Sequence, residues 1–147
     1  LSLDLTGVKL VDIDALNGSA GNNYLTGERV YHQATGTWTG ITITGYGGND
    51  ELTGSDLSDR LDGGEGNDTL IGGSGIYQFR FEAGQGIDLI MDWQDGTDKI
   101  VVGPSLSSVD VLNYNGNALL RFDGGSTYAL LAGVTPTAMD ASDFIFA

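Results

Sequence analysis

Residues 63–71 read Gly63-Gly64-Glu65-Gly66-Asn67-Asp68-Thr69-Leu70-Ile71. The first part is rich in glycine, which adopts backbone conformations that a Cβ disfavours, so this part can turn tightly. The second part, Asp68 to Ile71, alternates polar and apolar residues and suits a short strand. Leu70 points inward and its neighbours point out. One such turn-strand unit is too small to make a core, so its meaning depends on repetition.

The repetition is present. Glycines stand at positions 18, 27, 36, 45, 54, 63 and 72, a strict nine-residue series. Seven residues after each come Leu25, Ala34, Ile43, Leu52, Leu61, Leu70 and Phe79, all apolar, and Leu16 extends the register back by one unit. Five residues after each glycine come Asn23, His32, Ile41, Asp50, Asp59, Asp68 and Tyr77. Residues 45–53 (GYGGNDELT), 54–62 (GSDLSDRLD) and 72–80 (GGSGIYQFR) are partial copies of the 63–71 unit.

The 63–71 unit fits every fixed position of GGxGxDxUx and resembles the RTX, or hemolysin-type calcium-binding, repeat. The resemblance implies an all-β fold, a right-handed parallel β-roll with two nonapeptides per turn. Units 45–53 and 63–71 then stack on one side, and units 54–62 and 72–80 on the other. It also implies Ca2+ between stacked loops. Calcium takes roughly 6–8 oxygen ligands. Glycine-rich turns offer unshielded carbonyls and each Asp adds a carboxylate, so two adjacent loops can surround an ion where one cannot. The first expected site lies between the loops carrying Asp50 and Asp68, drawing on Gly45, Gly48, Gly63, Gly64 and Gly66. The second lies between the Asp59 loop, which begins at Gly54, and Gly72-Gly73-Ser74-Gly75. It lacks a carboxylate because Tyr77 stands where Asp belongs, so it is expected to be weaker or completed by another group. The alternative for each Asp is an ordinary turn residue bonded to nearby backbone.

Outside residues 45–91 the chemistry fades. In 1–44 the period persists, but His32 and Ile41 replace Asp, Asn23 is a neutral oxygen ligand, and Lys9-Leu10-Val11 precede Asp12 and Asp14 where glycines belong. These units read as metal-poor rungs or a cap closed by ordinary hydrogen bonds, with Thr35–Thr44 suited to strands. His32 has no second His and no Cys to join it in a transition-metal site and reads as a strand or surface residue. Trp38 and Tyr46 read as packing residues at a loop edge. After Phe79 the period breaks, and 83–91 (AGQGIDLIM) restores it after a two-residue insertion, with Asp88 in the Asp slot and Ile90 in the apolar slot. Asp88, and after it Asp92, are candidates to complete a last calcium site, whereas Asp95 and Asp98 read as turn formers. Residues 92–147 read as capping strands. Val109–Phe122 form a hairpin around Asn115-Gly116, a turn follows at 123–125, and a strand runs over 127–131. These antiparallel strands are placed to cover the open end of the roll. The whole forms one continuous domain.

Composition limits the functions available. Gly is 24 of 147 residues, against a usual share of roughly 7%, yet without the three-residue period of collagen. Acids number 20 and bases 6, a net charge of −14, which repels nucleic-acid phosphate and favours a monomer. No apolar run approaches the ~18 residues of a membrane span. There is no Cys, hence no disulfide, thiolate zinc site or Cys nucleophile. The chain starts at Leu1 with neither a basic segment nor a continuous apolar stretch, so it is expected to be part of a longer protein. Its end, Asp143-Phe144-Ile145-Phe146-Ala147, is similar to the C-terminal signals read by type I secretion machinery. The expected role is a secreted, bacterial, non-catalytic calcium module of a larger protease, lipase, toxin or adhesin, which folds when it meets extracellular calcium. One alternative is a glycan-binding module of a polysaccharide-modifying enzyme such as an alginate epimerase, with Trp38, Tyr46, Arg29, Arg60 and Arg121 on one face. Another is an enzyme using paired Asp residues, which metal ligation explains more simply.

Overall fold

The nine-residue period becomes an alternation between two facing sheets. The computed structural model describes residues 2–4, 10–11 and 13–147. In chain order its strands are β1 (Ser2–Asp4), β2 (Leu10–Val11), β3 (Ala15–Ser19), β4 (Tyr24–Thr26), β5 (Val30–His32), β6 (Thr37–Thr39), β7 (Thr42–Tyr46), β8 (Glu51–Thr53), β9 (Arg60–Asp62), β10 (Thr69–Ile71), β11 (Gln78–Phe81), β12 (Gly86–Ile90), β13 (Lys99–Val102), β14 (Val109–Tyr114), β15 (Asn117–Phe122), β16 (Thr127–Leu131) and β17 (Phe144–Phe146). The first sheet has the order β1-β4-β8-β10-β12-β16-β15-β14, and the second β17-β13-β11-β9-β7-β3. Among the described residues no helix is long and apolar enough to cross a membrane.

Within the roll the pairing is parallel and steps by two units. Leu52 lies beside Leu70 in the first sheet, while Ile43, Leu61 and Phe79 align in the second. Units 45–53 and 63–71 therefore stack on one side, and 54–62 and 72–80 on the other. Ile90 lies beside Leu70, so the two-residue insertion before residue 83 is absorbed outside the strands. The apolar positions Leu25, Leu52, Leu70 and Ile90 face Ile43, Leu61, Phe79 and Ile100, and all are buried. Each 18-residue coil thus contributes two ladder positions to a narrow core, to which Phe81, Trp93 and Phe122 add aromatic bulk at the C-terminal end.

One unit departs from the expected winding. Leu25 lies beside Leu52 and Leu16 beside Ile43, a step of three units rather than two. The additional length leaves the roll as a hairpin: β5 and β6 pair antiparallel and join β2 in a small third sheet. Ala34, in the apolar slot of unit 27–35, is exposed at the hairpin turn, where Gly36 takes φ +70°. The local reason is visible in the sequence. Glu28-Arg29 replace the glycine-rich turn, Ala34 is too small to fill a core position, and the flanking segments Val30-Tyr31-His32 and Thr37-Trp38-Thr39 favour strand pairing. The rings of Tyr31 and Trp38 pack across the hairpin with centroids 5.1 Å apart.

At the other end, β14 and β15 form the hairpin expected from Asn115-Gly116, whose φ values of 51° and 86° suit a tight two-residue turn. A second turn through Asp123-Gly124 leads to β16, which pairs antiparallel with β15 and parallel with β12. Leu120 and Phe122 are buried, and Phe122 stacks on Phe81 at 5.0 Å. Strand β17 returns to the second sheet beside β13.

Removing the Leu61 side chain should lower stability by roughly 2–5 kcal/mol, as for other buried leucines. Ala34→Ser should stay within about 0.5 kcal/mol, as for surface sites. Urea melts in millimolar calcium check both values, and equal losses would return unit 27–35 to the core.

Candidate metal centre

The loops that enter the first sheet lie directly on one another. Gly47 pairs with Glu65 and Gly66 with Gly86 as isolated parallel bridges. Gly48 donates its N–H to the Glu65 carbonyl at 2.9 Å, and Glu65 donates to the Tyr46 carbonyl at 2.7 Å. This stacking is too close for side chains. A Cβ on Gly66, whose φ is +139°, would collide with the Gly48 carbonyl, and one on Gly64 with the Tyr46 carbonyl.

The stacking aligns the Asp slot into a ladder. Asp50 Oδ1 accepts the Asn23 N–H at 2.7 Å. Asp68 Oδ1 accepts the Asp50 N–H at 2.7 Å, and Asp88 Oδ1 accepts the Asp68 N–H at 2.9 Å. Each carboxylate therefore holds the amide of the coil before it. Asn23 ends the ladder with a neutral amide, which donates to the Ser19 carbonyl and to Asp50 Oδ1.

The second oxygen of two of these carboxylates has no partner. Asp50 Oδ2 and Asp68 Oδ2 are buried and accept no hydrogen bond. A Cβ placed on Gly45 would meet both Asp50 Oδ2 and the Gly63 carbonyl oxygen, so oxygens from two stacked loops converge on one spot. Asp68 Oδ2 crowds the equivalent position at Gly63. A bare anionic oxygen in such a place costs several kcal/mol unless a cation or proton accompanies it. Among the described residues no three acidic, His or Cys side chains cluster around one point. A cation here must therefore draw on backbone carbonyls as well as carboxylates, which suits an oxygen-seeking ion such as calcium.

The electrostatics follow from this enclosure. Burial, reinforced by Asp50 and Asp62, pushes the Asp68 carboxyl up to about 6. Burial, reinforced by Asp68 and Asp62, pushes Asp88 up to about 8. Burial also raises Asp59 and Asp98.

The opposite edge, where loops enter the second sheet, is closed differently. Asp59 Oδ1 accepts the Ile41 N–H at 2.7 Å and the Ser55 hydroxyl at 3.0 Å, while Oδ2 accepts the Ser55 N–H. Tyr77 is fully buried and occupies the gap between the Asp59 loop and the Gly72–Gly75 turn. The next Asp slot belongs to Asp98, two residues before Ile100. Its Oδ1 accepts the Tyr77 N–H at 3.0 Å and its Oδ2 the Gln94 N–H at 2.9 Å. Asp98 thus shapes its turn, as the sequence implied, and also occupies a ladder position that the broken period concealed. Asp92 accepts the N–H groups of Gly72 and Gly73 at 2.9 and 2.6 Å.

A second ladder escaped the sequence reading. Asn22 Oδ1 accepts the Asn49 N–H, Asn49 Oδ1 the Asn67 N–H, and Asn67 Oδ1 the Ile87 N–H, each at 2.9 Å. The recurring Asn-Asp pairs at 49–50 and 67–68 were its signal. His32 sits on β5 with Nε2 2.8 Å from Thr39 Oγ1. Trp38 and Tyr46 are more exposed than packing residues should be, at 44% and 55%, although Trp38 also lies under the Arg29 guanidinium at 5.3 Å. Lys9 and Asp12 lie outside the described residues.

Coils of turn-strand units with carboxylates set between them define a parallel β-roll of the metal-binding repeat class. Residues 12–29 and 44–78 match the RTX calcium-binding nonapeptide repeat in four copies, so those segments carry that repeat. The interval between the two segments is filled largely by the β5–β6 hairpin and its flanks, and the second segment ends before the two-residue insertion. No curated protein sequence matches the chain. Among solved structures, the extracellular lipase LipA from Serratia marcescens is similar over 90% of this chain, with a TM-score of 0.68 and 22% identity. The matched region is 21% of the lipase, so the chain spans about a fifth of that protein. The AlgE6R2 subunit of the Azotobacter vinelandii mannuronan C5-epimerase is similar over 92% of this chain and 93% of its own length, with a TM-score of 0.60 and 27% identity. The repeat that these segments match is that of a calcium-binding structural module.

Asp68 and Asp88 titrate higher in the folded, metal-free chain than the ordinary value of 3.8. The unfolded chain therefore releases protons that the folded chain retains, and stability falls as pH rises from about 4 to about 8. In chelator, circular dichroism should show more β-structure at pH 5 than at pH 8.5; the reverse order would contradict the buried ladder.

Proposed function

We propose that this chain is a calcium-dependent folding module of a secreted bacterial protein. The observation that carries the reading is the pair of buried, partnerless oxygens, Asp50 Oδ2 and Asp68 Oδ2. Asp50 and the Gly63 carbonyl would hold one ion between loops 45–50 and 63–68. Asp68, with Asp88 above it, would hold a second between loop 63–68 and the start of β12. Gly45, Gly48, Gly64 and Gly66 serve by letting the loops approach.

Without metal, neighbouring carboxylates repel and the glycine-rich loops retain large conformational entropy. Bound calcium offsets the charge and ties adjacent coils, so binding energy becomes folding energy. Extracellular calcium modules bind at about 10⁻⁴–10⁻³ M, a range that leaves such sites empty in a cytosol and filled outside. The chain can then leave the cell unfolded by type I secretion, with the tail 143–147 read as an extended segment before it pairs as β17. The catalytic or adhesive part would lie elsewhere in the longer protein.

A second reading has its own support: a glycan-associated module of a polysaccharide-modifying enzyme. The likeness to the epimerase subunit spans nearly all of both chains. The solvent face of the second sheet carries Arg60, Gln78 and Lys99 along a groove of about 380 Å³. An adjoining groove of about 270 Å³ lies between Arg60 and Arg80. Arg80 is paired with Asp62 and Glu82, and Asp14 and Asp59 also line the first groove, so Arg60 and Lys99 are the cations on this face that an anionic glycan would meet. This face differs from the one expected from sequence, because Arg60 and Arg121 sit on the outer faces of different sheets.

Calcium titration followed by circular dichroism should show a cooperative gain of β-structure near millimolar calcium, and a signal identical in chelator and in 10 mM calcium would refute the module. Asp68→Asn should raise the calcium midpoint about tenfold or more, the loss of one charge-assisted contact. For the second reading, calorimetry with mannuronan oligomers should register binding that Arg60→Ala and Lys99→Ala each weaken.

A further inference from the structure

The two edges of the roll share a frame but differ in what fills it. At Gly45 a Cβ would meet Asp50 Oδ2 and the Gly63 carbonyl. At Gly54 the equivalent place lies 2.6 Å from Asp59 Oδ2 and 2.8 Å from the Gly72 carbonyl, but the Tyr77 ring comes within 3.0 Å of it as well. The Tyr77 hydroxyl donates to the Ser55 carbonyl at 2.6 Å and accepts the Gly75 N–H at 2.8 Å. It therefore ties loop 54–59 to loop 72–77, the task an ion performs across the roll. The carboxylate that remains, Asp59, has both oxygens engaged by Ile41 and Ser55, in contrast to Asp50 and Asp68. Loop 54–59 also has Ser55 and Leu57 where loop 63–68 has Gly64 and Gly66.

From this we infer that Tyr77 is a built-in replacement for a calcium ion, so that the gap between loops 54–59 and 72–77 takes no metal and the roll carries its ions along one edge. Side-chain bulk fills the space, one hydroxyl satisfies a carbonyl and an amide, and a neutral group removes the need for a counter-charge. The residues expected from sequence to hold the second ion, Gly54, Asp59, Gly72, Gly73 and Gly75, then serve the turn alone. The inference rests on calcium filling the Asp50 and Asp68 gaps.

Calcium counted by equilibrium dialysis at saturation tests it in the full chain. Asp59→Asn should bind as many ions as the wild type, whereas Asp50→Asn should bind one fewer. Loss of an ion in Asp59→Asn overturns the inference. If that variant does not fold, Tyr77→Phe decides: the ion count should hold while the melting temperature in calcium falls by roughly 2–8 °C, and an unchanged melting temperature or a changed count overturns it. A wild type that binds no calcium would instead remove the reading on which this rests.

Discussion

A carboxylate that is bonded on one side and bare on the other governs this molecule. Asp50 and Asp68 each use Oδ1 to hold an amide of the preceding coil and keep Oδ2 buried without a partner. The first contact sets the spacing of the coils. The second leaves charge where water does not reach, which a protein sustains only with a cation or a proton nearby. Stacking and the need for a cation or a proton therefore arise from the same side chain. The glycines follow from it too, since at Gly45 and Gly63 the place of a Cβ is taken by carboxylate oxygen.

The two edges show how one architecture accommodates different chemistry at one position. Along the first edge the slot reads Asn23, Asp50, Asp68, Asp88, and along the second Ile41, Asp59, Tyr77, Asp98. Where the carboxylate has an unused oxygen, the slot calls for a cation. Where Ser55 or Gln94 supplies the second hydrogen bond, the same residue type becomes a turn lock. The partner of the second oxygen, more than the presence of Asp, separates a ligand from a structural residue.

That distinction also marks what could be read in advance. Stacking by pairs of units was legible because one apolar residue per nine must face inward, and Leu52 beside Leu70 or Leu61 beside Phe79 is its direct outcome. The turn at Asn115-Gly116 was legible because few residues tolerate its dihedral angles. The hairpin over β5 and β6 was hidden because its length matches the period, so Gly27, Gly36 and Ala34 keep the numerical series while leaving the winding. Asp98 was hidden because its turn is longer than the others. Whether Asp59 resembles Asp50 depends on Ser55, four residues away, and no nonapeptide pattern records that partner.

The apolar core explains why the roll relies on its loops at all. A coil of 18 residues places one ladder side chain in each sheet, such as Leu52 and Leu61, and both are modest in size. That is a small apolar yield for so much ordered backbone. The C-terminal end is richer, with Phe79 packed on Trp93 at 6.2 Å, Phe81 stacked on Phe122, and the inner faces of β15 and β16 buried behind them. Moving from that end toward β4, aromatic bulk gives way to Leu61, Leu52, Ile43 and Leu25, while the first edge keeps a carboxylate between coils at Asp88, Asp68 and Asp50. Side-chain volume helps hold the coils at the C-terminal end, and toward β4, where it is scarce, the contacts between loops carry a larger share of that task.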